Sequence, residues 1–70
     1  MKRFAGNVTD WPAFWEGYKI AVHGSRSLSE VEKFTYLLSY LDGSAHKAVS
    51  GLALTSEGYK IAIDTLKDRF

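Results

Sequence analysis

His23 and His46 are the only histidines in this sequence, and cysteine is absent. Zinc or iron sites are built from nitrogen and thiolate ligands at short, regular spacings, and neither histidine has a second such ligand near it. Both are expected on exposed helix faces, with no metal and no cofactor. Serines are plentiful, but none sits in the strained elbow that exposes a nucleophile, and Ser50-Gly51 is a small pair near a helix end. Gly6, Gly17, Gly24, Gly43, Gly51 and Gly58 are scattered, so no glycine-rich loop can cradle a phosphate. No catalytic residue is expected, and the chain is read as a non-enzyme.

The remaining chemistry is that of surfaces. At about 100° per residue, four apolar or aromatic side chains fall on the polar side of the helices that carry them. Ile20 projects opposite Trp11 and Tyr18, Tyr36 and Tyr40 share the side opposite Phe34 and Leu41, and Ile61 lies opposite Tyr59 and Leu66. Isolated apolar residues are ordinary on protein exteriors. Two tyrosines one turn apart are a stronger signal, because aromatic side chains are enriched at the buried centres of interfaces. Ile20, Tyr36, Tyr40 and Ile61 are therefore the candidate self-association residues, and a second copy of the chain is the expected partner, in at least a dimer.

Those four residues need helices to present them. The stretch from Ser27 to Ala45 reads as a central helix over about residues 29–42. Ser27 with Glu30 and Ser29 with Glu32 each have capping-box spacing, and Val31, Phe34, Leu37, Leu38 and Leu41 form one inward stripe. Gly43 is the expected stop, in the left-handed conformation that glycine tolerates. Upstream, Thr9 or Asp10 can cap a first helix over about 10–23, with Pro12 in its first turn and Trp11, Phe14, Trp15, Tyr18, Ala21 and Val22 on one face. Ser44 can cap a third helix over about 44–53, whose inward line is Ala45, Ala48, Val49 and Leu52. Thr55 can cap a last helix over about 55–70, with Leu54 and Tyr59 closing over its start and Tyr59, Ala62, Ile63, Leu66 and Phe70 buried. Residues 1–7 have no period and read as an extended arm whose Phe4 tucks against the bundle. No stretch alternates like a strand. The expected fold is all-α, a small bundle of four helices behind an N-terminal arm, forming one domain over residues 1–70.

Size and charge set limits on partners. A chain of 70 residues without disulfides has a small core, and ten aromatics, 14% of the sequence, must compact it. Self-association is the other usual source of stability. Nine Lys or Arg against eight Asp or Glu give a net charge of +1, too little field to hold a polyanion. The turn at Gly43 could suggest a helix-turn-helix, but the would-be recognition helix offers only His46 and Lys47. No direct nucleic-acid contact is expected. There is no apolar run of about 18 residues and no signal-peptide core, so the chain is expected to be soluble and cytoplasmic, with no membrane partner. On that basis the glycosylation-like triplet Asn7-Val8-Thr9 is taken as chance.

The ordered set Phe4-x-Gly6, Trp11-Pro12-x-Phe14-Trp15, Glu32-Lys33-Phe34, Leu37, Leu41-x-Gly43-x-Ala45, Ser50-Gly51-Leu52, Tyr59 and Leu66-Lys67-x-Arg69-Phe70 resembles the Gag-like region of BEL/Pao retrotransposons. It covers nearly the whole chain, and the Trp11-x-x-Phe14 helix followed by Leu41-x-Gly43-x-Ala45 is similar also to the N-lobe of the domesticated, capsid-forming Arc proteins. The resemblance implies a structural protein, one helical lobe of a longer capsid region, that self-associates toward particle assembly. It also allows a second use, as a domesticated module binding a peptide segment of another protein. The family's RNA-binding zinc knuckle and its enzymes have no counterpart in these residues.

Overall fold

Phe4 is the residue on which the arm, the first helix and the C-terminus converge. In the computed structural model, which describes residues 3–70, its ring lies 5.3 Å from Trp11, 5.4 Å from Phe14 and 5.1 Å from Phe70, centroid to centroid. Only 1% of Phe4 is exposed. Truncating an aromatic buried this completely costs roughly 3–5 kcal/mol. The arm expected over residues 1–7 is thus present from residue 3 onward, and Met1 and Lys2 lie outside the described residues.

The helices follow the expected order. They are α1 (Trp11–Tyr18), α2 (Glu30–Tyr40), α3 (Gly43–Val49) and α4 (Ser56–Arg69). The first continues without a break into a π-helical turn, Lys19–His23, closed by an i to i+5 bond from the Gly24 amide to the Lys19 carbonyl at 2.8 Å. Asp10 occupies the cap position of α1 but makes no side-chain bond. Asn7 acts one step earlier, its Oδ1 accepting from the Thr9 amide at 3.1 Å and the Thr9 hydroxyl at 2.8 Å.

Of the two possible capping boxes, the Ser29–Glu32 one forms. Glu32 donates its amide to the Ser29 hydroxyl, and Ser29 donates its amide to Glu32 Oε1, both at 3.2 Å. Thr55 caps α4 by accepting from the Gly58 amide at 3.0 Å. Leu54, expected to close over the helix start with Tyr59, is half exposed, while Tyr59 is buried.

The junction between α2 and α3 differs from expectation for a reason remote in sequence. Leu41 has left the helix and is extended, at φ −96° and ψ 147°. It makes an isolated parallel bridge with Phe4: the Phe4 amide donates to the Tyr40 carbonyl at 2.7 Å, and the Asp42 amide donates to the Phe4 carbonyl at 2.8 Å. The arm therefore supplies partners that a continued helix would have supplied. Gly43 does adopt a positive φ of 52°, but it opens α3 and does not stop α2. Ser44, expected as a cap, donates its hydroxyl to the Ala5 carbonyl at 3.3 Å. The third helix ends at Val49, short of the expected residue 53, although Leu52 still packs against the core.

One cluster forms the core. It joins Phe4, Trp11, Phe14, Tyr18 and Val22 from the first half to Phe34, Leu37, Leu41, Ala45, Val49, Tyr59, Ala62, Ile63 and Leu66 from the second. α4 packs on both α2 and α3, and the π turn packs on α2. Val31 and Ala21, placed on inward stripes by periodicity, are exposed. The all-α fold is as expected. Among the described residues no helix is long and apolar enough to cross a membrane.

Candidate functional site

The core holds one polar thread, which runs from the π turn to α2. The Tyr18 hydroxyl donates to the Lys33 carbonyl at 2.9 Å. Tyr18 and Tyr59 hydroxyls lie 2.9 Å apart, and Tyr59 lies 2.7 Å from His23 Nδ1. A carbonyl oxygen only accepts, so the direction of the whole thread is fixed at that end. Tyr18 uses its single proton on Lys33, Tyr59 must donate to Tyr18, and His23 must donate to Tyr59. Neutral His23 therefore carries its proton on Nδ1 and a lone pair on Nε2.

Burial and charge hold this thread in its neutral form. Burial pushes the His23 pKa below its ordinary value, and Lys33, Lys67 and Lys19 push it the same way, with Glu30 acting against them. Burial likewise raises both tyrosines. An imidazole so placed stays uncharged at neutral pH.

His23 was expected on an exposed face, and it is half-buried instead, its ring tilted against that of Trp15 at a centroid distance of 5.4 Å. Five residues on an α-helix turn about 500°, which would set His23 some 140° away from Tyr18. The π turn is wider, and it returns His23 to the side of Tyr18. His46, also expected to be exposed, is half-buried in the last turn of α3.

Beside the thread opens a pocket of about 140 Å³, lined by His23, Glu30, Tyr59, Lys60, Ile63 and Asp64. It lies between the end of the π turn, the start of α2 and the outer side of α4. Glu30 Oε2 is buried and has no hydrogen-bond partner. Among the described residues no group of three or more His, Asp or Glu side chains is arranged to hold a metal ion. The pocket escaped the sequence because two of its residues owe their positions to non-local contacts. The one available signal was Tyr59, the one residue with a polar atom in its side chain on a stripe otherwise apolar, whose hydroxyl needs a buried partner.

The four candidate association residues are placed unequally. Ile20 is 79% exposed, Ile61 50% and Tyr36 45%. They stand on the π turn, α4 and α2, so three separate helical segments each present one. Tyr40 was expected to share the outward side with Tyr36, but it is half-buried and packs against the core. At about 100° per residue Tyr40 lies some 40° nearer the buried stripe than Tyr36, and its long side chain covers the difference.

The family described as a protein of unknown function, DUF1759, has a model that matches residues 4–70 of the chain. No curated protein and no solved structure matches it.

Proposed function

Because this chain belongs to the DUF1759 family, we propose its role from its surface: a non-catalytic, Gag-like helical lobe whose work is contact with further copies of itself. The observation that carries this reading is the outward display of Ile20, Tyr36 and Ile61 on a core already complete without them. The ordered motifs shared with BEL/Pao Gag-like regions and with Arc N-lobes support it, since such lobes assemble into shells. Fully burying an exposed isoleucine contributes about 1.5–3 kcal/mol, and Tyr36 and Ile61, already half covered, contribute less than a fully exposed side chain would. A stable interface takes roughly 800 Å² from each partner, and the whole chain exposes 4437 Å². No single helix face provides that area, so contact must engage more than one of the three segments.

Sedimentation over a concentration series up to millimolar protein tests the reading. The wild-type chain is expected to be at least dimeric at the upper end. Tyr36→Ala combined with Ile61→Ala should weaken association at least tenfold, the loss expected for about 1.4 kcal/mol, with helicity unchanged. Tyr40 is a poorer probe, because its truncation would disturb the core as well. A wild-type chain that stays monomeric throughout would end the proposal.

A second reading, a module that binds a peptide segment of another protein, is favoured by the pocket between the end of the π turn, the start of α2 and α4. Peptide titrations monitored by Trp11 and Trp15 fluorescence distinguish it from self-association.

A further inference from the structure

The pocket beside His23 is short of hydrogen-bond donors. Glu30 and Asp64 bring two carboxylates to its lining, against the single ammonium of Lys60. The ion pairs formed among the described residues are Arg3–Asp42 and Lys19–Glu16, so neither pocket carboxylate is in one. Glu30 Oε2 is in addition buried without a donor. A buried polar group left in that state is destabilising, the more so when it is charged, and a cationic donor entering the pocket would relieve it. His23 does not compete for the role: the lysines that act on it, Lys19, Lys33 and Lys67, all lie outside the pocket lining, and it is held neutral.

We propose that this pocket binds an arginine side chain from a segment of another protein, its guanidinium on Glu30 and Asp64 and its stem along Ile63 and Tyr59. The space sets the size of the ligand. About 140 Å³ corresponds to roughly five waters at about 30 Å³ each, room for one side-chain head. The chemistry selects arginine over lysine. A guanidinium is planar, carries five donors and is weakly hydrated, so it can serve two carboxylates and lie against an aromatic or aliphatic wall. An ammonium is compact and holds its water more firmly.

The inference rests on the second reading above and names the chemistry that the peptide must carry; it does not depend on self-association. The test is a titration of the isotopically labelled chain with acetyl-arginine amide at low salt, followed by amide and side-chain resonances. Saturable shifts centred on His23, Glu30, Tyr59 and Asp64 are expected. Acetyl-citrulline amide, the neutral isostere, should bind about tenfold more weakly, as should Glu30→Gln and Asp64→Asn variants toward the arginine probe, each having lost a charge-assisted bond. Asp64 is exposed, so its variant keeps the test decisive should Glu30→Gln disturb the start of α2. Equal binding of the citrulline probe, shifts centred elsewhere, or no saturable shift would each overturn the proposal. Failure of the arginine probe alongside a fluorescence response to longer peptides would sink the pocket chemistry and leave the second reading standing.

Discussion

His23, Tyr59 and Tyr18 share one line of protons, and each member is satisfied only while the others are in place. Tyr59→Phe leaves both His23 Nδ1 and the Tyr18 oxygen without their partner, and the loss of such buried bonds should lower stability by about 1–3 kcal/mol in denaturant unfolding. Proton linkage gives a second prediction. The His23 pKa is lower in the folded chain than its ordinary 6.5, so between the two values the unfolded chain binds more protons and stability rises with pH. The contribution is fully present above about pH 6.5 and is lost as pH falls through the folded value. Unfolding midpoints measured across that window should slope for the wild type and flatten for His23→Gln. None of this was legible in residue spacing. An ideal helix puts His23 and Tyr18 on different faces, and only the widened turn unites them.

Among the elements, α4 packs on both α2 and α3, and its first turn is closely packed. Gly58 is buried at the third helical position, where an added Cβ would collide with the Ala53 carbonyl and come within 3.3 Å of Phe34. Gly58→Ala should therefore destabilise the chain by roughly 1–3 kcal/mol, as overpacking does, despite the better helix propensity of alanine; thermal unfolding checks it. The helices themselves were readable. The stripe Phe34, Leu37, Leu41 and the Ser29–Glu32 box carry local information enough to place α2, and Thr55 placed the start of α4. Where α2 stops was not readable, because Leu41 points inward equally well as a helical residue or as an extended one paired with Phe4. That choice belongs to Phe4, at the far end of the first half of the chain.

For the molecule as a whole, two kinds of contact are proposed, and salt separates them. Association through Ile20, Tyr36 and Ile61 buries apolar surface, so it should be nearly unchanged when sodium chloride is raised from about 0.1 to about 0.5 M and strengthened by sulfate. Sedimentation in the two salts measures this. Arginine binding at Glu30 and Asp64 should weaken over the same range, because partly exposed charges are screened. Three of the four outward residues were visible from periodicity alone. Tyr40 was misplaced because a hydrophobic wheel assigns directions to Cα–Cβ bonds, whereas a tyrosine at the flank can reach back around the helix.

The widened turn after Tyr18 amounts to a surplus residue. Shortened by one position at exposed Ala21, the segment would wind as an ordinary helix, and the imidazole would then stand four places after Tyr18, on the same stripe by the usual period. The loop beyond Gly24 can absorb the missing rise of about 1.5 Å. Chain length at this spot is thus uncoupled from the hydrogen-bonded string it delivers, so a length variant should keep the imidazole in reach of Tyr59.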